Sequence, residues 1–89
     1  MDLQEYRAQI DKVDEDLLRL FKERMDISLG IAGYKKEHGL PALDAAREHA
    51  KLETIGDKAG DELKPYATKL FSMLFELSRS YQESVLKDK

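Results

Sequence analysis

Two groups of polar residues interrupt the apolar patterns of this sequence, a third group is a charged cluster, and their types and spacing could support chemistry. Arg24 occupies a position at which the surrounding helical pattern requires an apolar side chain. Ser78 and Gln82, four residues apart, continue an apolar stripe with polar side chains. The third group is a charged cluster in the middle of the chain: Asp44, Arg47, Glu48 and Lys51.

The chemistry that such residues favour is the binding of an anion. A charge on an apolar surface costs free energy unless it meets a partner or a ligand. Guanidinium groups bind carboxylates through two parallel hydrogen bonds, which fix the shape of a ligand as well as its charge.

Each group also has a purely structural interpretation. Arg24 can form a buried ion pair or specify the register of a helix pair. Ser78 and Gln82 can lie in solvent at a fraying helix end, and the charged cluster can be a solvated helix face with i,i+3 and i,i+4 pairs. Taken one at a time, each group is explained better by the structural interpretation.

A long helix from Asp2 to about Lys36 must position Arg24. Its apolar residues follow steps of three and four, which is the heptad pattern of a helix with one narrow apolar seam. At 1.5 Å per residue the helix is roughly 50 Å long, whereas a compact chain of this size is roughly 30 Å across. A second copy of the chain is therefore expected to cover the seam. The seam residues are Leu3, Tyr6, Ile10, Val13, Leu17, Leu20, Ile27, Ile31 and Tyr34.

Two shorter helices are predicted after the first one. Gly39 followed by Pro41 ends the first helix, Asp44 suits the N-cap of the second, and Pro65 suits the first turn of the third. The predicted fold is all-α, with no strand, in one domain over residues 1–89. The three helices are long, short and long: Asp2 to about Lys36, Asp44 to about Lys58, and the turn containing Pro65 to about Leu86.

The apolar residues of these helices predict which faces are buried. Gly30 and Gly33 are interpreted as a close helix crossing, with room for a ligand as the alternative. The second helix is expected to turn Leu43, Ala46, Ala50 and Ile55 inward. The third helix has one stripe of Leu63, Tyr66, Leu70, Met73 and Leu77, and a second of Phe71, Leu74 and Phe75 that becomes polar at Ser78 and Gln82.

The composition argues against several classes of function. The 89 residues carry a net charge of −3, so there is no basic footprint for nucleic acid. There is no cysteine, and His38 and His49 do not form a zinc-binding pattern, so neither a metal nor another cofactor is expected. No segment suits a signal peptide or a membrane span, and a cytoplasmic location is expected.

Arg7 lies at one end of a row of residues beside the seam. Arg7 and Lys35 are about 42 Å apart along one helix, so they cannot meet in one small site within one chain. If two long helices pair antiparallel, Arg7 of one chain can approach Arg24 and Lys35 of the other. Such a cluster of cations repels itself unless it holds an anion, and a small dicarboxylate or phosphate compound fits. The row shares one heptad position: Arg7, Asp14, Phe21, Ser28 and Lys35.

The order and spacing of these residues resemble the all-helical chorismate mutase family over essentially the whole chain. The residues that interrupt the apolar patterns are those that the family uses, which is the stronger part of the match. The matching motifs are Arg7-x-x-Ile10-x-x-x-Asp14, Glu23-Arg24, Lys35, Asp44-x-x-Arg47-Glu48 and Ser78-x-x-x-Gln82.

The resemblance implies the Claisen rearrangement of chorismate to prephenate, the branch step toward phenylalanine and tyrosine, in an intertwined homodimer of three-helix protomers. It implies that Arg7 enters the site from the partner chain. Arg24 and Arg47 would bind the substrate carboxylates, with Ser78 assisting.

The resemblance also assigns the remaining roles. Lys35 and Gln82 would donate hydrogen bonds to the ether oxygen whose C–O bond breaks. Glu48 would hold the ring hydroxyl, with Asp44 beside it. The residues implied to be catalytic are Lys35, Gln82, Arg24 and Glu48.

These residue types suit the reaction on physical grounds. The rearrangement is unimolecular, without a nucleophile, a proton transfer or a covalent intermediate, so the enzyme must select a reactive conformer of a flexible dianion. Preorganised donors must also stabilise the negative charge that develops on the ether oxygen. A glutamine keeps its donor at every pH, so Gln82 predicts activity that is broad across neutral pH.

One position departs from the family pattern. Position 79 is often aliphatic and near the pocket in the family, whereas here it is Arg79, which is expected to point to solvent. Other functions are open: a lyase of the same fold that removes pyruvate from isochorismate, a mutase for the amino analogue of chorismate, or a non-catalytic dimerisation module. Glu48 favours chorismate because a carboxylate can hold a hydroxyl.

Overall fold

A computed structural model describes residues 1–86 as three α-helices, with no strand in that range. The helices are α1 (Leu3–Glu37), α2 (Ala45–Ala59) and α3 (Lys64–Leu86). The prediction of an all-helical fold in the order long, short, long is therefore confirmed. Within residues 1–86, none of the helices is both long enough and apolar enough to cross a membrane.

The ends of α1 follow from local sequence. The Asp2 side chain accepts a hydrogen bond from the Glu5 amide at 2.9 Å and caps the first turn. At the other end, the Leu40 amide donates to the Lys35 carbonyl at 2.8 Å, and Gly39 has a φ of 65°. This pattern is a Schellman motif, in which glycine takes the left-handed conformation without a steric penalty.

The helices pack around α3, which contacts both α1 and α2. The four most buried residues besides Gly56 lie where the C-terminal half of α1 crosses α3: Ser28, Ala32, Phe75 and Ser78. Two of these four residues are polar, so the centre of the chain is built around hydrogen-bonding groups rather than around a large apolar core. Residues 1–20, by contrast, are all exposed.

The chain exposes far more surface than a compact monomer of its mass does. Its accessible surface is 7356 Å², whereas a folded chain of 10.2 kDa exposes roughly 5,300 Å². Its radius of gyration is 16.2 Å, against about 12 Å for a compact chain. Every residue of the predicted seam is exposed: Leu3, Tyr6, Ile10, Val13, Leu17, Leu20, Ile27, Ile31 and Tyr34.

The two stripes of α3 have different environments. The stripe that becomes polar faces the other helices, with Phe75 and Ser78 buried and Phe71, Leu74 and Gln82 half-buried. The wholly apolar stripe of Leu63, Tyr66, Leu70, Met73 and Leu77 is exposed.

The predicted inner face of α2 is partly wrong. Leu43, Ala46 and Ala50 are exposed, and Ile55 is half-buried as expected. The face that packs on α3 includes the buried Gly56, whose missing side chain leaves room for α3: an added Cβ would lie 3.0 Å from the Lys64 side chain. The inner residues instead follow helical spacing: Glu48, Leu52, Ile55, Gly56 and Ala59.

The helix crossing predicted at Gly30 and Gly33 does not occur within the described chain. A Cβ placed on either glycine would meet no atom within 4 Å. The space beside both glycines is therefore unoccupied within the described chain.

Candidate active site

A cavity of about 320 Å³ lies between the C-terminal half of α1, the start of α2 and the C-terminal half of α3. Its size is within the range of small-molecule sites. Seven of the eight candidate residues from the sequence line this cavity, and Arg7 does not. The lining residues are Arg24, Ile27, Ser28, Ile31, Lys35, Ala42, Asp44, Arg47, Glu48, Lys51, Phe75, Ser78, Arg79 and Gln82.

The charge of the lining is opposite to that of the chain. Five lining side chains are cationic and two are acidic, which gives the cavity a net charge of +3 in a chain of net charge −3. Such a concentration of positive charge in a concave site favours an anionic ligand.

Arg24 is held at the cavity by α3. Its Nη1 donates a hydrogen bond to Ser78 Oγ at 2.7 Å, and its guanidinium carbon lies 5.4 Å from the centre of the Phe75 ring. No carboxylate in residues 1–86 forms an ion pair with Arg24. The guanidinium is therefore fixed by a hydroxyl and an aromatic face, and its charge is not neutralised by a protein carboxylate.

Ser78 is not at an exposed helix end. It is only 6% exposed, so its interpretation as a solvent-facing residue is wrong. A serine at this point of the α3 stripe supplies the acceptor that Arg24 needs in a buried position, which an apolar residue would not do.

Gln82 is oriented by Ser28, which lies across from it on α1. The Gln82 Nε2 donates to the Ser28 carbonyl at 2.9 Å and to the Ser28 hydroxyl at 3.1 Å. The carbonyl bond fixes the plane of the amide. The bond to the hydroxyl can be exchanged for a bond to a ligand, because a hydroxyl rotates freely.

Lys35 connects the end of α1 to the loop before α2. Its Nζ donates to the Ala42 carbonyl at 3.0 Å. An ammonium group has three donors, so Lys35 can hold this loop and still donate to a ligand in the cavity. The contact also fixes the path of the chain just before Asp44.

The first turn of α2 combines capping with charge. Asp44 is the N-cap, and its side chain accepts from the Arg47 amide at 3.0 Å. The capping bond leaves the other Asp44 oxygen for the cavity. Arg47 and Glu48 then follow on the first turn and both line the cavity.

Arg79 does not point to solvent, so that prediction is wrong. Its Nη1 forms an ion pair with the Glu48 carboxylate, both side chains are half-buried, and Arg79 lines the cavity. Residue 79 lies about 60° around α3 from Gln82, so a long side chain can reach the cavity from the flank. The Glu48 carboxylate on α2 supplies the attraction.

Among the lining residues that are not candidates from the sequence, Ser28 and Phe75 hold candidate side chains in place. Ser28 is 6% exposed and orients Gln82, and Phe75 is buried beneath Arg24. Ser28 shares its heptad position with Lys35, and this position beside the seam could have identified it. Phe75 looks like an ordinary core residue in sequence, because only the tertiary fold places it against a guanidinium.

Arg7 lies on the exposed first half of α1, outside the cavity. Helical geometry puts it about 42 Å along the axis from Lys35. The other seven candidates line one cavity whose side chains carry an excess of positive charge, and neither histidine lines it. Such a site can position a compact anion and stabilise charge that develops on it.

Comparisons with known proteins match the chain to one family. A model of the chorismate mutase type II family matches residues 6–83. The chain is 30% identical over 87 residues to a bifunctional chorismate mutase/prephenate dehydratase of Buchnera aphidicola subsp. Schizaphis graminum, covering 96% of this chain and 23% of that protein. The chain therefore spans less than a quarter of that relative's length.

Two further relatives are shorter proteins. A chorismate mutase of Methanocaldococcus jannaschii is 28% identical over 88 residues, covering 97% of this chain and 89% of the relative. A 4-amino-4-deoxychorismate mutase of Streptomyces venezuelae is 39% identical over 46 residues, covering 52% of this chain and 45% of the relative. No solved structure gives a significant match.

Proposed function

The chain belongs to the chorismate mutase type II family, and we propose that it catalyses the Claisen rearrangement of chorismate to prephenate for phenylalanine and tyrosine biosynthesis. One observation carries the proposal: seven residues from three helices line a single cavity with a net charge of +3. Chorismate is a compact dianion, so its charge and size suit this cavity.

Arg24 and Arg47 bind the two substrate carboxylates in this proposal. Of the two arginines, Arg24 has the stronger structural support for this role, because Ser78 and Phe75 hold its guanidinium without neutralising its charge. A fixed guanidinium binds a carboxylate in one orientation and so selects the compact conformer that can react.

Lys35 and Gln82 stabilise the ether oxygen as its C–O bond breaks. Both residues line the cavity, and each is held by a backbone carbonyl, of Ala42 and of Ser28 respectively. Donors fixed before the reaction stabilise developing negative charge without the cost of reorganising solvent. No nucleophile and no covalent intermediate are needed.

Glu48 accepts the hydrogen bond of the ring hydroxyl, and Asp44 lies next to it at the start of α2. Both carboxylates line the cavity. They are also its two acidic groups, so they suit the neutral, hydrogen-donating part of the substrate rather than its carboxylates.

We propose further that the active form is an intertwined homodimer in which Arg7 reaches the partner's cavity. The seam of α1 and the apolar stripe of α3 are exposed in the protomer. The surface in excess of a compact chain is roughly 2,000 Å², and obligate homodimers bury areas of this order. The open positions at Gly30 and Gly33 also allow a second helix to approach.

The activity is tested by mixing the purified protein with chorismate and following the loss of its ultraviolet absorbance, with prephenate identified as the product. Lys35→Ala should abolish turnover while the protein stays folded. Lys36→Ala is the matched control, because Lys36 is adjacent and exposed but does not line the cavity that contains the seven candidate residues. No loss of chorismate with folded protein would refute the proposed activity and leave a dimerisation module as the alternative.

The dimer is tested by sedimentation and by mixing variants. Arg7→Ala and Arg24→Ala chains should each be inactive, and their heterodimers should contain one intact site of two. Random exchange makes half of the dimers heterodimers, so about a quarter of the wild-type activity should return. Heterodimers that form without regaining activity would contradict a contribution of Arg7 from the partner.

A mutase for the amino analogue of chorismate is the second candidate. The similarity to the 4-amino-4-deoxychorismate mutase of Streptomyces venezuelae favours it. Comparing the two substrates in the same assay distinguishes the candidates, and formation of pyruvate from isochorismate would indicate a lyase instead. A cytoplasmic location also remains a proposal, which cell fractionation would test.

A further inference from the structure

We propose that Arg79 sets the substrate specificity of this site by neutralising Glu48, so that the cavity accepts a ring hydroxyl and discriminates against a ring ammonium. The inference rests on the proposed function and names the residue that separates its two candidate substrates. Arg79 acts through Glu48 and is therefore a positioning residue.

The ion pair between Arg79 and Glu48 lies in the wall of the cavity. Arg79 Nη1 bonds to Glu48 Oε2, which joins α3 to the first turn of α2 across the cavity. The side chains of Arg79 and Glu48 are 31% and 28% exposed. One Glu48 oxygen is therefore occupied by Arg79, and the other is available to accept a hydrogen bond from a ligand.

The charge of the pair determines what that oxygen can accept. A lone carboxylate attracts an ammonium group more strongly than a hydroxyl. With Arg79 attached, the pair is neutral overall, and a ligand ammonium placed at Glu48 would also lie near the Arg79 guanidinium. Two cations at such a distance repel each other in a partly desolvated site. A hydroxyl is neutral and is not penalised.

A structural role alone does not account for this arrangement. An ion pair with about a third of each side chain exposed contributes little to folding, because solvent screens it and both side chains lose rotamer freedom. Gln82 lies one turn further along α3, and both Gln82 and Arg79 line the cavity. The pair is therefore part of the ligand-binding wall and is expected to act on ligands more than on stability.

The experiment compares chorismate with 4-amino-4-deoxychorismate at pH 7, where the amino group is largely protonated. The variants are Arg79→Met, which keeps much of the side-chain length without the charge, and Arg79→Lys, which keeps the charge. Lys51→Met is the matched control, because it removes a cation from the exposed rim of the same cavity. For each protein we measure kcat and KM with both substrates, and Kd by calorimetry.

Wild type should prefer chorismate. Arg79→Met should shift the ratio of the two kcat/KM values toward the amino substrate by about 10- to 100-fold. The shift should appear in KM and Kd, since the ring substituent carries the same charge in the ground state and the transition state. Arg79→Lys should keep most of the preference for chorismate, and Lys51→Met should move the ratio by less than about threefold because an exposed charge is screened.

An unchanged ratio in a folded Arg79→Met protein would overturn the inference, as would an equal shift in Lys51→Met. These results leave the proposed function intact, because wild type still converts chorismate. Wild type that binds both compounds but converts neither would refute the proposed function, and the ratio of Kd values would still test Arg79. If neither compound binds, both the function and the inference fail.

Discussion

Gln82 offers the sharpest test of how the cavity stabilises charge. Gln82→Met keeps the length of the side chain and removes its N–H donors. If the amide donates to the ether oxygen, its loss resembles the removal of one oxyanion-hole donor, which lowers kcat by about 100- to 1,000-fold, or about 2.7–4 kcal/mol. KM should change little, because the carboxylate contacts proposed for Arg24 and Arg47 remain.

The same change also removes two contacts to Ser28, at 2.9 and 3.1 Å. Each hydrogen bond contributes about 0.5–1.5 kcal/mol to stability, and the apolar methionine recovers part of this in a half-buried position. We expect the free energy of unfolding to fall by about 1–2 kcal/mol, so the protein remains folded at 25 °C. Thermal unfolding by circular dichroism, measured beside kcat and KM, separates this loss from the catalytic one.

Ser28→Ala is the matched control. It removes the hydroxyl but keeps the Ser28 carbonyl, so the amide of Gln82 keeps its 2.9 Å bond and one N–H stays available. Its kcat should stay within about fivefold of wild type, since only one neutral hydrogen bond is lost. A Gln82→Met protein with nearly wild-type kcat would refute the role of the amide. An equally large loss in Ser28→Ala would also refute it, because the Ser28 hydroxyl would then be the essential group.

Three further predictions concern pH and local structure. Gln82→Glu should be active only at acidic pH, because the introduced carboxyl donates only when protonated and loses its proton as pH rises through a pKa near its ordinary value of about 4.3. The rate of wild type should be constant across neutral pH, and a pH–rate profile of both proteins checks this. Asp44→Ala should lower the free energy of unfolding by about 0.5–2 kcal/mol because the Arg47 amide loses its cap, whereas Asp44→Asn should keep most of the stability. Equal melting temperatures for the two variants would contradict the capping role. Gly39→Ala should lower the free energy of unfolding by about 1 kcal/mol because the φ of residue 39 is 65°, and Gly39→Asn should lower it less. Chemical denaturation measures both variants, and an unchanged stability of Gly39→Ala would show that the left-handed conformation is not needed.

Local features of this chain are predictable because they depend on neighbouring residues. The Asp2 and Asp44 caps, the glycine at position 39 and the spacing of apolar residues each act within a few residues of themselves. These features predict all three helices, and they place the ends of α1 and α2 within two residues of the observed ends. The length of α1 also follows from local sequence. It predicts an apolar seam that one chain alone cannot cover.

The contents of the cavity were predictable as a set, but not in their contacts. Arg24, Ser78 and Gln82 break local patterns, and the family resemblance adds the other four candidates that line the cavity. Nothing local indicates that Arg24 meets a hydroxyl rather than a carboxylate. That outcome depends on where α3 crosses α1, over a separation of 54 residues between Arg24 and Ser78.

The sequence by itself determined that this protein is three helices with an uncovered seam and a set of cations that a small anion could satisfy. Only the tertiary structure decided how those charges are paired. Arg79 turns inward because the packing of α2 against α3 brings the Glu48 carboxylate within its reach. Pairing between charges on different helices depends on helix rotation and side-chain length, and neither is encoded in the spacing of residues along one helix.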